Sequence, residues 1–134
     1  MKFLLDANLP PTLARALHAL SSGVDPGVDQ VIPLRDKFAP DTKDPAWLSA
    51  LAREGDWAVI SQDGFNKSDI EKALIERAGL MVFVLEPAWG KQQYWAKCVQ
   101  LIRWWPKILS IAALSTSAVR VPWNTTSKTR SLRL

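Results

Sequence analysis

Short apolar runs that close on a polar residue alternate along this chain with amphipathic segments, and this alternation constrains the fold most. The clearest runs are Lys2–Leu5, which Asp6 follows, Trp57–Ser61 and Leu80–Leu85. Strands of a parallel sheet read as continuous apolar runs because helices cover both of their faces. We therefore predict a three-layer α/β/α fold with a mainly parallel sheet of four to five strands.

Turn and capping residues set the expected limits of each element. We expect strands at Lys2–Leu5, Val28–Leu34, Trp57–Ser61, Leu80–Leu85 and Ala118–Trp123, the last at the sheet edge. We expect helices from Asn8-Leu9-Pro10-Pro11 to Leu20 with Asn8 as cap, from Asp44 to Glu54 with Asp44 as cap, from Ser68 to Ala78, and from Lys91 to Leu109 with Pro106 kinking or ending it. The first helix should bury Leu13, Ala14, Leu17 and Leu20.

The length of 134 residues allows one domain with a proper core and is too small for two. We expect the domain over residues 1–123 and a flexible, polar and basic tail over residues 124–134. No apolar run reaches membrane-spanning length, and the first residues do not form a signal peptide. The single cysteine, Cys98, fits a reducing compartment, so we expect a cytoplasmic protein.

Charge is divided unevenly along the chain. All 13 Asp and Glu lie at or before Glu86 beside 9 Lys and Arg, a formal charge of −4, whereas the remainder holds 8 Lys and Arg and no acid. An RNA backbone could contact the basic part while a metal ion links it to the acidic part. The alternative is that these cations are ordinary solvated positions.

Three aspartates are expected at the carboxyl ends of the strands, where open parallel sheets place their sites. Asp6 follows the first strand, Asp63 follows the third, and Asp44 begins the helix between the second and third strands. Clustered carboxylates repel one another unless a cation joins them. Oxygen ligands suit Mg²⁺ or Mn²⁺, which activates water and stabilises charge on a phosphoryl group.

Structural explanations compete with this interpretation at each position. Asp44 could be only a helix cap, and Asp63 only a turn former. Asn8 fits a cap better than a ligand, and Asp69 lies in a capping box although it could act as a fourth acid. A carboxylate that ends a buried strand usually has a strong partner or a chemical task, so Asp6 is the firmest candidate.

Other catalytic classes are excluded by the residues present. His18 is the only histidine, so a paired-histidine ribonuclease and a Ser-His-Asp triad are both excluded. The sequence contains no nucleophile elbow, phosphate-binding Walker loop or dinucleotide glycine motif. Cys98 lies among apolar neighbours and fits a core thiol.

Several of these segments, in this order, are similar to one known family. Lys2 to Pro11, KFLLDANLPP, resembles the opening of the compact PIN-like domains of bacterial toxin–antitoxin loci. Val59 to Asp63, VISQD, resembles their second signature, and Asp44 with Trp47-Leu48 resembles the acidic helix start of the VapC-like subset. Gly79 to Leu85 resembles the apolar strand that follows.

The resemblance implies a Mg²⁺- or Mn²⁺-dependent endoribonuclease, the toxin of a type II pair, which a small antitoxin neutralises and which is often a homodimer. It implies that Asp6, Asp44 and Asp63 form the acidic cluster and that Ser61 orients a carboxylate or water. Ala7 stands where many relatives have Glu, and no fourth acid is clearly placed, so the site could hold one ion before RNA binds. Asn66 and Lys67 are candidates for phosphate contacts.

The chain contains seven tryptophans. Trp47 and Trp57 fit the core. Because adjacent helical residues diverge by about 100°, we expect one of Trp104 and Trp105 to be exposed or in an interface. Trp95, Trp104 and Trp105 are candidates for a dimer or antitoxin contact, ahead of stacking on RNA bases. A broadly buried helix would explain them as well.

Two other functions remain open on the sequence alone. A catalytically weak or inactive partner-binding domain of the same fold would explain Ala7 and the missing fourth acid. A phospho-receiver-like signalling module also carries acids after its first and third strands. Against the receiver, the first strand ends in a single acid, and Val121-Pro122-Trp123 stands where a lysine is expected.

Overall fold

A single sheet organises the computed structural model, which describes residues 1–62, 79–114, 118–126 and 128–131. In these ranges the strands are β1 Lys2–Leu5, β2 Gln30–Pro33, β3 Trp57–Ser61, β4 Met81–Leu85, β5 Ala118–Val121 and β6 Arg130–Ser131. The α-helices are α1 Pro11–Ser21, α2 Asp44–Glu54 and α3 Tyr94–Leu114, and short 3₁₀ turns cover Leu34–Asp36 and Pro87–Lys91.

The strand order is β2-β1-β3-β4-β5-β6, with five parallel strands and an antiparallel pairing of β5 with β6. The predicted parallel α/β architecture is confirmed. The prediction that β5 lies at the sheet edge is wrong, because Arg120 of β5 pairs with Arg130 of β6. β6 comes from within the predicted tail, and the domain limit after residue 123 stays a prediction.

Helices cover both faces of the sheet, which gives the three layers. Phe3 and Leu5 of β1 belong to the core that includes the buried residues of α1 and α3. Leu4, between them, points to the opposite core, which α2 closes with Trp47, Leu48 and Leu51. Successive strand side chains alternate between faces, so a fully apolar strand requires cover on both sides.

The first helix begins and packs differently from the prediction. Pro10 is its N-cap and no side chain caps it, so the predicted cap by Asn8 is wrong. Leu13, Ala14 and Leu17 are buried as expected, but Leu20 is 57% exposed and Ser21 is buried in its place. The Ser21 hydroxyl accepts a hydrogen bond from the indole of Trp105, which gives this polar residue a reason to face inward.

The second and last helices also correct the expected limits. α2 has Lys43 as its N-cap with no side-chain cap, so Asp44 lies in the first helical turn and does not cap. α3 continues through Pro106 to Leu114, beyond the end expected at Leu109. The long buried face of α3 provides more stabilisation than the roughly 3 kcal/mol that an internal proline costs.

Both adjacent tryptophans of α3 are buried, so the prediction that one of them is exposed or in an interface is wrong. Trp104 donates a hydrogen bond from its indole to the backbone oxygen of Trp123, at 3.3 Å. Trp105 packs edge-on against Phe3, with ring centroids 5.1 Å apart. The two side chains diverge as expected, but α3 has neighbours on both sides, α1 on one and the segment after β5 on the other.

The predicted helix Ser68–Ala78 lies outside the described residues. In the part of the chain that is described, no helix is both long and apolar enough to cross a membrane.

Candidate functional site

Asp6 lies at the carboxyl end of β1 and is 8% exposed. Its backbone N–H continues the β1–β3 ladder by donating to the oxygen of Ile60 at 3.0 Å. Its two carboxylate oxygens accept from different donors: Oδ1 from the backbone N–H of Ala7 at 2.6 Å, and Oδ2 from the buried hydroxyl of Ser61 at 2.7 Å. These bonds fix the direction of the carboxylate at the sheet edge.

The contact between Asp6 and Ser61 follows from strand register. β1 and β3 are parallel neighbours with Leu5 opposite Ile60, so the residues that follow these two meet at the same edge. The hydroxyl has the position that the sequence resemblance implies for a residue that orients a carboxylate. Its functional role stays a prediction.

Asp44 is half-buried and approaches the same edge from the first turn of α2. Its Oδ1 accepts a hydrogen bond from the indole N–H of Trp47, three residues later, at 2.9 Å. Trp47 is fully buried, so its ring has one position and holds the carboxylate in turn. Sequence reasoning assigned Trp47 to the core and missed this bond, although the spacing of three residues on a helix places both side chains on one face.

Asp6 and Asp44 both line a cleft of about 240 Å³. Its other lining residues are Ala7, Asn8, Leu34, Arg35 and Thr42. Asn8 is exposed at this cleft, so its amide is available to a ligand and not engaged as a helix cap. Arg35, which sequence reasoning passed over as part of a polar loop, adds a cation to the rim.

Asp63, Asn66, Lys67 and Asp69 lie outside the described residues, so their predicted roles are untested. The described chain reaches Ser61 and Gln62 at the end of β3. Within residues 1–62, 79–114, 118–126 and 128–131, no three Asp, Glu, His or Cys side chains form a group that could hold a metal ion. The described site therefore consists of two aspartates, Asp6 and Asp44, with Asn8 beside them.

The basic final third reaches this edge through Lys97. Its Nζ donates to Oε1 of Gln62 at 2.8 Å, although the two residues are 35 positions apart. Gly90 makes room for the glutamine: a Cβ built on Gly90 would lie 3.0 Å from Nε2 of Gln62. No local sequence pattern indicates this contact, because only the return of α3 to the end of β3 creates it.

Cys98 belongs to the core below this edge and not to a reactive site. Burial raises the pKa of its thiol, and this exceeds the opposing effect of a hydrogen bond with Tyr94. A thiol with a raised pKa holds less of the nucleophilic thiolate at neutral pH. The interpretation of Cys98 as a core residue agrees with this position.

Comparison with known proteins gives one match. The model of a family described as "PIN like domain" matches residues 1–87, which contain β1 to β4 and the whole cleft. No curated protein and no solved structure matches the chain.

Proposed function

Because the chain belongs to the family of PIN-like domains, we propose that it is a metal-dependent endoribonuclease whose centre includes Asp6, Asp44 and Asp63. PIN-like domains are commonly nucleases and typically use divalent metals. The single observation that carries the proposal is the cleft that Asp6 and Asp44 share at the carboxyl edge of the sheet. The two residues are 38 positions apart in sequence, so the fold places both of them in this cleft.

The donor atoms of the cleft fit Mg²⁺ or Mn²⁺. Asp6 and Asp44 offer carboxylate oxygens and Asn8 an amide oxygen, which are the ligands these hard cations prefer. Both carboxylates are oriented by hydrogen bonds, from Ser61 and Ala7 on Asp6 and from an indole on Asp44. Hydrogen-bond donors of this kind hold the residues that bind a metal ion in place and strengthen metal binding.

In this proposal Asp6, Asp44 and Asp63 would hold the cation, and Asp69 is the candidate for a fourth ligand. When bound there, the cation would supply Lewis acidity toward the phosphodiester and would favour deprotonation of water near neutral pH. The carboxylates fix its place, and Ser61 keeps Asp6 in the orientation that binds it. Arg35, at the rim, attracts the phosphate of the substrate into the cleft.

We further propose that the chain is the toxin of a bacterial type II toxin–antitoxin pair and acts in the cytoplasm. The VapC-like pattern of Asp44 with Trp47-Leu48 supports this. A small antitoxin protein would then neutralise it, and a homodimer is the expected assembly. Growth arrest on expression, relieved by the product of an adjacent small reading frame, tests this part separately from catalysis.

RNA cleavage by the purified chain tests the catalytic proposal. We expect hydrolysis of mixed RNA with Mg²⁺ or Mn²⁺, and none with a chelator. Asp6→Asn and Asp63→Asn should each lower the rate by at least about 100-fold. Mutation of a group that only orients a metal ligand already lowers metal affinity or activity about 10- to 100-fold. The products, separated on a denaturing gel over time, give the rate.

Asp29→Asn is the matched control, because Asp29 is 64% exposed and pairs with the N-terminal amine, away from the cleft. It should cleave RNA like the unsubstituted protein. Equal cleavage by all four proteins would reject the centre. No cleavage by any of the four free proteins, when a separate assay shows that they still bind the antitoxin, would instead favour an inactive partner-binding domain.

A further inference from the structure

A second groove, of about 600 Å³, lies between α3 and the segment that follows β5. Its walls include Trp95, Val99 and Arg103 from α3, and Trp123, Asn124 and Thr125 from the other side. The groove has the size of a small-ligand site. Family resemblance does not reach it, because the family match ends at residue 87.

An exposed aromatic ring dominates the groove. Trp95 is 76% exposed, whereas the other six tryptophans, all within the described residues, are buried or half-buried. Val99 and Ile102, one and two turns later on the same face, are 45% and 39% exposed. The face is therefore a continuous apolar surface, and such surfaces mark binding sites more often than isolated exposed residues do.

The charge around this surface is positive. No Asp or Glu follows Glu86 in the sequence, so α3 and the segment after β5 contain no acid. Arg103 stands in the groove wall, and among the described residues no carboxylate lies within ion-pair distance of it. A ligand that combines flat apolar faces with negative charge complements this surface.

The position of the groove favours a nucleic acid. Trp123 follows the carboxyl end of β5, and Trp95 lies in the first turn of α3, which begins after the 3₁₀ turn that follows β4. This end of the groove therefore lies toward the carboxyl edge of the sheet, where Asp6 also lies. β5 is three strands from β1 in the sheet. At about 4.8 Å per strand this is a separation of roughly 14 Å. A few nucleotides of single strand are long enough to span this separation between the ends of β1 and β5.

We propose that this groove binds an unpaired nucleotide of the RNA substrate, with its base stacked on Trp95 and a phosphate paired with Arg103. Asn124 and Thr125 line the groove. The side-chain oxygen of Asn124 accepts from Thr126, so the Asn124 amide N–H groups and the Thr125 hydroxyl are the groups offered to the base edge or the 2′-hydroxyl. Stacking on an aromatic face tolerates any base, so the groove contributes affinity and a preference for single strands. This inference rests on the proposed ribonuclease function, because that function supplies RNA as the ligand.

Binding of a fluorescein-labelled single-stranded RNA of about ten nucleotides tests the proposal. Fluorescence anisotropy is measured with the full chain in the presence of EDTA, so that no cleavage occurs. Trp95→Leu should weaken binding about 5- to 150-fold, the range for loss of one base–aromatic stack. Trp95→Phe keeps an aromatic face and should lose much less. Because Trp95 is exposed, neither change should unfold the protein, which circular dichroism checks.

Two further variants separate stacking from charge and from general surface effects. Arg103→Gln should reduce the slope of log affinity against log salt by about 0.7, the contribution of one phosphate contact on a single strand. Leu114→Ala removes an 87% exposed apolar side chain at the far end of the same helix and should leave RNA binding unchanged.

Unchanged RNA binding by Trp95→Leu, or equal losses for Leu and Phe at this position, would overturn the proposal. If Trp95→Leu instead dissociates a dimer in sedimentation while RNA affinity stays the same, the groove is an interface between copies. Trp95-dependent binding without metal-dependent cleavage would reject the nuclease activity and keep the groove. Metal-dependent cleavage together with RNA binding that does not depend on Trp95 would keep the nuclease activity and reject the groove.

Discussion

At each edge of the sheet a buried tryptophan donates a hydrogen bond to a carboxylate, but the surroundings of the two carboxylates differ. At the carboxyl edge, the indole of Trp47 donates to Asp44, and at the amino edge, the indole of Trp57 donates to Glu54 at 3.2 Å. Each acid stands three residues before its tryptophan, and both rings are buried. The pairs are therefore alike in spacing and in hydrogen bonding.

The edges differ in what neutralises the acid. Glu54 also meets the ammonium of Lys37 at 2.9 Å, and this ammonium stands over the Trp57 ring at 5.5 Å. Asp44 has no Lys or Arg within ion-pair distance among the described residues. Trp47 fixes where the Asp44 carboxylate points without cancelling its charge. In the proposed centre, this pair would therefore orient a cation ligand at the carboxyl edge, whereas at the amino edge it stabilises the fold.

Neutralising Asp44 and Glu54 in separate variants should give the largest difference between the two edges, measured as stabilisation by Mn²⁺. In the proposed centre, Mn²⁺ at about 100 times its Kd should stabilise the protein by roughly 2.7 kcal/mol. Asp44→Asn should abolish most of this gain, and Glu54→Gln should keep it. Chemical unfolding with Mn²⁺ and with EDTA measures the difference for each protein. A full gain in Asp44→Asn would show that the two edges do not differ as we infer.

The two tryptophans allow a finer test of the same difference. Trp47→Phe removes the indole donor from Asp44, and Trp57→Phe removes it from Glu54, each with a similar loss of buried volume. Trp47→Phe should lower Mn²⁺ affinity by about 10- to 100-fold, the usual effect of losing a group that orients a metal ligand. Trp57→Phe should leave it unchanged. Calorimetric titration of the folded variants decides, and equal affinities would remove any special role for Trp47.

The sequence was sufficient for the parallel strands of the sheet and insufficient for its last edge and for the helix surfaces. Strands β1 and β3 have the predicted limits because a run that is buried on both faces has no other way to satisfy its backbone and side chains. Errors occurred where tertiary packing overrides local preference. Leu20 is exposed and Ser21 buried because Trp105 needs a hydrogen-bond acceptor. Pro106 does not end α3 because the long buried face of that helix contributes more stability than the proline costs.

The candidate site likewise contains contacts that the sequence predicts and contacts that it does not. That Asp6 and Ser61 meet follows from parallel strands, because residues at the ends of neighbouring strands share one edge. The bond between Lys97 and Gln62 could not be predicted, since it depends on where a helix 35 residues later returns. The sequence shows only that Asp44 and Trp47 are three residues apart on a helix. The hydrogen bond between them becomes evident once the structure shows where the buried indole ring lies.

The smallest expected effect concerns the acid at the amino edge. A hydrogen bond from Lys37 lowers the pKa of Glu54 below its ordinary 4.5, against the effect of desolvation. Because the pKa is lower in the folded state, the stabilisation is complete above pH 4.5 and is lost as the pH falls through the folded value. Glu54 is 39% exposed, so solvent screening limits the contribution to below about 1 kcal/mol. Urea unfolding midpoints compared at neutral and acidic pH should fall less in Glu54→Gln than in the unsubstituted protein, and identical pH profiles would mean that the pair adds no stability.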